Sequence, residues 1–266
     1  MTHAKDTNQM SMNLGSALSK KWLKLIKKLL FTCTLTLACT ANAEINLAFY
    51  SGQSFIDNGD LSLNQGKTNL NFNDVSWNDK SFEAPIFYGA RVGYWLDSAP
   101  NWGFSIDYAH LKNYLEYDKN ASISGTNANG VSVNGSGPIS DYIQNFNMSH
   151  GVNTVTFNGQ YRWFPSGKRD SSLLGRMQIY SGLGAGFSVP HVEALIRGVQ
   201  TYEYQAGAGP VINGMLGVNY DLISFLSGFA EYKLTYVNVE DSLNGGGTLS
   251  TETVNHQLIF GLAAHF

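Results

Sequence analysis

Side chains capable of acid/base or metal chemistry occur close to the ends of predicted strands. Glu83 precedes one such strand and His110 lies near the end of the next, while His191 and Glu193 follow Pro190, which is expected to end regular pairing. A neutral imidazole and a carboxylate suit a divalent ion, and imidazole also transfers protons near neutral pH. The predicted catalytic residues are therefore His191, Glu193, Glu83 and His110, and the predicted ligands of a divalent metal ion are His191 and Glu193.

The composition excludes several protein classes. Only 14% of the 266 residues are charged, whereas 28 are glycine and 13% are aromatic, which favours a β-protein over a coiled coil or a disordered chain. No stretch after residue 43 has 18 consecutive apolar residues, so any membrane-spanning segment there is expected to be a β-strand.

The first 43 residues resemble a secretory signal peptide. Before the apolar run Leu29 to Ala38 lie Lys20, Lys21, Lys24, Lys27 and Lys28, and Ala41-Asn42-Ala43 predicts cleavage before Glu44. Translation starting at Met10 or Met12, and a lipoprotein cleaved at Cys39, are alternatives. Cleavage before Glu44 would remove both cysteines, 6 of 17 basic residues and 1 of 20 acidic residues. The remaining net charge of −8 argues against nucleic acid as a partner.

The end of the chain alternates between apolar and other residues. Leu258, Phe260, Leu262, Ala264 and Phe266 occupy every second position. This pattern with a terminal Phe resembles the sorting strand of bacterial outer-membrane barrels. The resemblance implies that the outer-membrane insertion machinery recognises the Phe266 strand.

Seven further segments follow the same period of two, so eight strands are predicted. The seven are residues 44–54, 85–96, 102–115, 150–164, 176–190, 209–221 and 224–238. Short connections alternate with four long ones, 55–84, 116–149, 191–208 and 239–252. Short periplasmic turns, long extracellular loops and flanking aromatic residues are typical of a transmembrane barrel. The predicted fold is all-β, an eight-stranded antiparallel up-and-down transmembrane β-barrel of residues 44–266 in the cell outer membrane.

Strand parity predicts which side chains face the lumen. Trp102, Phe104, Ile106 and Tyr108 are expected outside, and Gly103, Ser105, Asp107 and Ala109 inside. The charged residues predicted to pair inside are Arg91, Asp107, Arg162, Glu231 and Lys233. Eight strands leave a lumen that side chains fill, so a general solute pore is not expected.

Two further stretches admit simple structural interpretations. Gly182, Gly184 and Gly186 lack the spacing of a nucleotide-binding loop and are expected to be small inward residues of a crowded barrel. The segment Lys119 to Gly137 is rich in Asn, Gly and Ser and is predicted to be a mobile surface loop.

If the amino-terminus of the barrel is periplasmic, the predicted site residues lie at the extracellular rim. Outer-leaflet head groups lie at this level, where Lys80 could hold a lipid phosphate as a point charge. The predicted partners are therefore outer-membrane lipids, including lipid A and lipopolysaccharide. Ordinary interfacial polar residues remain an alternative interpretation of the same side chains.

Several stretches resemble outer-membrane proteins of the lipid A oxidase family, themselves similar to small OmpA- and OmpX-like barrels. They include Lys80-Ser81-Phe82-Glu83-Ala84-Pro85, Asn101-Trp102-Gly103, Pro190-His191-Val192-Glu193, Tyr202-Glu203-Tyr204-Gln205 and Glu231-Tyr232-Lys233. The resemblance implies oxygen-dependent oxidation of the proximal glucosamine of lipid A to an aminogluconate unit. These stretches contain the predicted substrate-binding residues, which are Lys80, Tyr202 and Gln205. A non-enzymatic barrel that braces the membrane or presents surface loops is the alternative function.

Overall fold

The computed structural model describes residues 44–266, which form fourteen β-strands and one short 3-10 helix, Ile139–Asp141. The predicted signal peptide, residues 1–43, lies outside the described residues. The strands are β1 (Glu44–Ile56), β2 (Gly59–Gln65), β3 (Thr68–Val75), β4 (Trp77–Asn78), β5 (Tyr88–Trp95), β6 (Trp102–Leu115), β7 (Asn120–Thr126), β8 (Ser132–Pro138), β9 (Asn145–Trp163), β10 (Met177–Ile196), β11 (Val199–Tyr204), β12 (Pro210–Ile223), β13 (Leu226–Ser242) and β14 (Thr248–His265).

Eight of these strands form a closed antiparallel ring in the order β1-β5-β6-β9-β10-β12-β13-β14. The ring closes where β1 pairs with β14, for example Asn46 with His265 and Tyr50 with Gly261. Two further backbone hydrogen bonds join Ile45 to Phe266 across this seam. Because consecutive ring strands are neighbours throughout, the predicted eight-stranded up-and-down barrel is confirmed.

The outer face of the ring is an apolar band. Along β6, Trp102, Phe104 and Ile106 are exposed, whereas Ser105 and Asp107 are buried, as the alternation predicted. Exposed aromatic side chains surround the turn end of the ring, among them Trp102, Tyr161 and Trp163. An apolar band with an aromatic border is the exterior of a barrel that spans a lipid bilayer.

No helix among residues 44–266 is both long enough and apolar enough to cross a membrane.

The lumen is closed by a buried network of charges. Arg91 forms two hydrogen bonds of 2.7 Å with Glu231 and one of 2.7 Å with Asp107. Lys233 donates to Asp107 over 2.9 Å, and the Tyr180 hydroxyl donates to Glu231 over 2.7 Å. Paired charges of this kind fill the interior of an eight-stranded barrel and leave no open channel at this level.

Arg162 is buried inside the barrel as predicted, but it does not pair with this network. Its guanidinium instead lies 2.8 Å from Glu44 and 4.2 Å from the centroid of the Trp95 ring, at the turn end of the barrel. Glu44 also accepts from Arg169 over 3.2 Å, which ties β1 to the turn after β9. The difference arises because Glu44, at the same end of the barrel, supplies Arg162 with a carboxylate partner.

The interpretation of the glycine triplet on β10 fits the packing of the lumen. A Cβ atom at Gly184 would lie 1.9 Å from the Asn158 Oδ1 atom, and one at Gly186 would lie 1.9 Å from the Val155 carbonyl oxygen. Larger residues at these positions would therefore collide with β9.

The long connections of the ring fold into a sheet instead of remaining loops. Strand β2 pairs with the upper part of β14, β3 pairs with β2, and β7 and β8 extend this sheet. The prediction of a mobile loop from Lys119 to Gly137 is therefore wrong, because most of it forms the β7–β8 hairpin. Side chains such as Leu61, Phe72 and Ile123 are buried beneath this sheet. We call this sheet and its core the cap.

Candidate functional site

Three ligand-type side chains meet at the outer rim, on β9 and β10. The His150 Nδ1 atom lies 2.7 Å from a Glu193 carboxylate oxygen, and the His191 Nδ1 atom lies 3.3 Å from the same oxygen. One ligand atom from each of the three residues lies within 4.8 Å of the other two. Among residues 44–266 no other group of three or more His, Cys, Asp or Glu residues has this geometry. We call His150, His191 and Glu193 the rim triad.

A bulge in β9 brings His150 to this position. On β10, Pro190 pairs with Val152 and Glu193 pairs with Asn147, so four residues of β9 lie opposite two of β10. Gly151 lies within this bulge with a φ of +104°, a conformation that favours glycine. The bulge therefore places the His150 side chain beside β10.

The expectation that Pro190 ends its strand is wrong. Strand β10 continues to Ile196 and pairs with β11 from His191 onward. The Pro190 carbonyl oxygen accepts a hydrogen bond from the Gln205 amide, so this part of β10 remains in the sheet. His191 and Glu193 consequently keep the outward parity of Leu183 and Phe187 below them.

Aromatic rings cover His191. The centroids of Tyr202 and Tyr204 both lie 4.5 Å from that of His191, in edge-to-face arrangements. His191 is only 5% exposed, whereas about half of the His150 side chain is accessible. The triad thus has one enclosed imidazole and one that faces the surroundings.

The carboxylate of the triad is held in its ionised form. Glu193 lies six residues along β10 from Phe187, the last exposed large apolar side chain of that strand. Burial opposes its ionisation, but hydrogen bonds from Ser149 and His150 outweigh burial and lower the pKa of Glu193. An ionised carboxylate beside two imidazoles is a suitable ligand for a cation.

A second polar group lies beside the triad on β6 and the segment before β5. The Lys80 ammonium lies 3.2 Å from Glu83 and 4.5 Å from the centroid of the Tyr114 ring. Buried Lys112 donates to the carbonyl oxygens of Lys80 and Glu83, which fixes the turn that carries them.

Tyr114 lies between the two groups. Burial raises the pKa of its phenol, and the charges of Lys80, Glu193 and Glu83 all act on that phenol. Strand pairing also places Tyr114 near the triad, since Tyr114 pairs with Asn147, which in turn pairs with Glu193. The structure therefore brings Lys80 and Glu83 to the same part of the rim as the triad.

The other predicted site residues have different surroundings. His110 stacks on Tyr88 with 4.9 Å between centroids, and its Nδ1 atom lies 2.9 Å from Asn153 Oδ1. Tyr202 contacts the triad directly through His191. The Gln205 side chain bonds to the backbone of Ser242 through both its amide nitrogen and its oxygen, so it is held at the end of β13.

Sequence reasoning did not include His150, Ser149, Lys112 or Tyr114 in the site. His150 opens the fourth predicted strand and His191 follows the fifth, and neighbouring antiparallel strands bring such ends to one rim. This signal places His150 at the correct rim, but the bulge that directs its side chain outward is not visible in the pattern.

Comparison with known proteins identifies similar barrels but no family. No protein-family model and no curated protein matches the chain. Neisserial surface protein A is 11% identical over 85% of this chain and 98% of its own, with a TM-score of 0.40. A major outer membrane protein from Thermus thermophilus is 11% identical over 85% of this chain and 100% of its own, with a TM-score of 0.42. OprG from Pseudomonas aeruginosa is 12% identical over 85% and 96%, with a TM-score of 0.36.

The closed ring and its apolar exterior establish the fold as that of an outer-membrane β-barrel, as the sequence predicted.

Proposed function

We propose that this barrel binds lipid A in the outer leaflet and oxidises its proximal glucosamine at the rim. The observation that carries the proposal is the position of the rim triad directly above the lipid-facing side chains of β10. Leu183 and Phe187 are exposed on that face, and His191 and Glu193 continue the same row beyond the band. An amphiphile lying against β10 would place its head group beside the triad.

The charges beside the triad suit a phosphate carried on the distal sugar of lipid A, since the proximal sugar must have a free C1 hydroxyl to react. Lys80 is partly exposed and is held over Tyr114, from where its ammonium can contact a phosphate oxygen. Its present partner Glu83 is 65% exposed and can separate from it at small cost, since exposed ion pairs contribute little. Lipid binding would replace the Glu83 carboxylate with a phosphate as the partner of Lys80. Glu83 would then be free to act as a base.

The proposed reaction needs a free hydroxyl at C1 of the glucosamine and O2 as oxidant. The C1–H and O–H bonds break, and the two electrons and two protons reduce O2 to hydrogen peroxide. C1 becomes a lactone carbonyl, which water opens to the aminogluconate. Glu83 can accept the hydroxyl proton, since it lies beside the proposed position of the sugar.

The oxidation requires a group that reacts with O2, and the rim triad can supply the ligands of one. Two imidazoles and a carboxylate with open positions are the donor set of non-haem iron sites, whose ion reacts with O2. The enclosed His191 and the ionised Glu193 fit this role, and the accessible side of His150 leaves room for the substrate.

Mass spectrometry of lipid A tests the proposal. Expression in a host whose lipid A has a free C1 hydroxyl should add one oxygen atom to that lipid, and the His191→Ala, Glu193→Gln double variant should add none. His256→Ala is the matched control, because His256 is a half-buried rim histidine on β14. Equal modification by the double variant and the parent would contradict the proposal.

A non-enzymatic brace or surface protein is the second candidate, and the closed lumen and ordered cap favour it. Under this function lipid A is unchanged and the rim residues serve only to hold head groups. Lipid A that stays unmodified in a host with the free hydroxyl would support this candidate.

Two sequence predictions belong to the same proposal. Residues 1–43 would direct export and be removed, and the Phe266 strand would be recognised by the insertion machinery. In support, Phe266 is exposed on the outside of the barrel and its backbone is bonded to Ile45.

A further inference from the structure

We infer that His150, His191 and Glu193 bind one first-row divalent transition ion, with His150 as the third ligand. The inference deepens the proposed function, on which it rests for the role of the ion, but the binding site itself depends only on the geometry of the triad. His150 lies on β9, whereas His191 and Glu193 lie on β10, so the ligands reach the site from two neighbouring strands.

The spacing of the ligand atoms is close to what such an ion needs. Bonds of about 2.0–2.1 Å from imidazole nitrogen or carboxylate oxygen place neighbouring ligand atoms roughly 3–3.5 Å apart. The observed distances to the Glu193 oxygen are 2.7 Å from His150 and 3.3 Å from His191, and none in the triad exceeds 4.8 Å. Small side-chain rotations would therefore complete the site without moving the strands.

An unsatisfied ring nitrogen points independently to a ligand. The Nδ1 atom of His191 is buried and has no hydrogen-bond partner among residues 44–266, although it lies 3.3 Å from Glu193. A buried polar atom without a partner is costly, whereas an ion would satisfy it. Tyr202 and Tyr204 pack against the His191 ring and restrict its rotation, so the nitrogen stays directed at the site.

The donor set selects the class of ion. Imidazole ligands suit zinc, iron, cobalt, nickel and copper, whereas magnesium and calcium prefer sites built wholly from oxygen. Three protein ligands leave at least one position open, and the half-exposed His150 leaves the site accessible from outside the protein. The site is therefore expected to take zinc, iron(II) or cobalt(II) in preference to magnesium or calcium.

Binding of cobalt(II) and zinc(II) to the untagged, refolded barrel in detergent micelles tests the inference. The parent should bind one cobalt(II) ion per chain with a visible absorption band, and zinc should displace it at equal stoichiometry. A large excess of magnesium or calcium should not. His150→Ala, His191→Ala and Glu193→Gln should each lose the one-to-one band.

His256→Ala is the matched control and should keep the band, because its imidazole bonds to Tyr232 and Asp57 on another part of the rim. Heat-modifiable gel migration checks that every variant is folded. Folded parent protein without stoichiometric cobalt binding, or binding that survives loss of His150, would overturn the inference.

The result of the metal titration can be distinguished from the result of the lipid A experiment. Metal binding with unchanged lipid A would retain the site and remove the oxidation. Oxidised lipid A from a barrel that binds no ion would retain the oxidation and remove the site.

Discussion

Lys80 is the side chain through which the proposed lipid contact is most easily tested. Its ammonium is held by Glu83 and by the Tyr114 ring, so it is directed at the rim instead of extending into solvent. Lys80→Ala should weaken binding of a phosphorylated lipid A head group by about tenfold, the effect of losing one charge-assisted contact of roughly 1.4 kcal/mol. Titration of refolded barrel with fluorescent lipid A measures it.

Lys119→Ala is the control for this measurement. Lys119 is also paired with a glutamate three residues away, Glu116, but it is well exposed. Lys80→Arg should retain most of the affinity, since the charge is kept. Equal affinities for the Lys80→Ala and Lys119→Ala variants would show that Lys80 does not contact the lipid.

At this scale the sequence predicted residue types better than contacts. His191, Glu193 and Tyr202 were predicted and do lie together, because they belong to adjacent positions of one hairpin. Gln205 is only three residues beyond Tyr202, yet its side chain is bonded to Ser242 of another strand. That contact depends on how the cap packs against β13, which residue spacing does not reveal.

The β9 bulge is the element that assembles the rim triad, and Gly151 makes it possible. A Cβ atom at Gly151 would lie 2.4 Å from the His110 Nδ1 atom, and the φ of +104° disfavours any residue with a side chain. Gly151→Ala should therefore reshape the bulge, move His150 from Glu193 and reduce cobalt(II) affinity by at least tenfold.

Gly159→Ala provides the matched control, because Gly159 lies on the same strand and a Cβ atom there meets nothing within 4 Å. Its cobalt titration should equal that of the parent. Parent-like titration of the Gly151→Ala variant would mean that the bulge does not position His150.

The cap contains a carboxyl group whose ionisation should weaken it. Asp241, near the end of β13, pairs with Leu249 in the part of β14 that joins the cap, and both its oxygens are buried without a hydrogen-bond partner among the described residues. Burial raises the pKa of Asp241 from 3.8 to about 7. The folded state therefore holds a proton that the unfolded state releases above about pH 4. Stability should be highest below pH 4, fall as the pH rises towards 7, and level off above it.

The loss amounts to about 4 kcal/mol, at roughly 1.4 kcal/mol for each unit of the pKa change. Asp241→Asn should remove this pH dependence and raise the stability of the cap at pH 8. Proteolysis of the folded barrel at pH 5 and pH 8 measures cap opening. Equal pH dependence in parent and variant would exclude Asp241 as its source.

The ring strands were predictable and the cap strands were not, for a physical reason. Ring strands such as β6 alternate between lipid and lumen, so each carries its own period of two. Strand β7 buries only Ala121 and Ile123 and is ordered by pairing with β3, which lies some fifty residues earlier. Its polar composition reflects an exposed outer face and gives little sign of that distant partner.

For the whole molecule, the buried charge network is expected to hold the barrel together. Arg91 bridges Asp107 on β6 and Glu231 on β13, on opposite parts of the ring. Arg91→Ala should cost about 3–5 kcal/mol of unfolding free energy, because two buried carboxylates lose their main partner. Urea unfolding in micelles measures this cost.

The exposed pair of Lys119 and Glu116 is again the comparison. Its removal should change the unfolding free energy by no more than about 1 kcal/mol. A similarly small effect for Arg91→Ala would mean that water or rearranged neighbours compensate the carboxylates.

The stoichiometry of the proposed oxidation decides whether the barrel is an oxidase. Purified barrel, loaded with iron(II), is mixed with O2 and lipid A that has a free C1 hydroxyl, and hydrogen peroxide and aminogluconate lipid are measured together. We expect one hydrogen peroxide for each lipid oxidised, with neither product formed by the His191→Ala, Glu193→Gln variant. Unchanged lipid A with the ion bound and the barrel folded would contradict it.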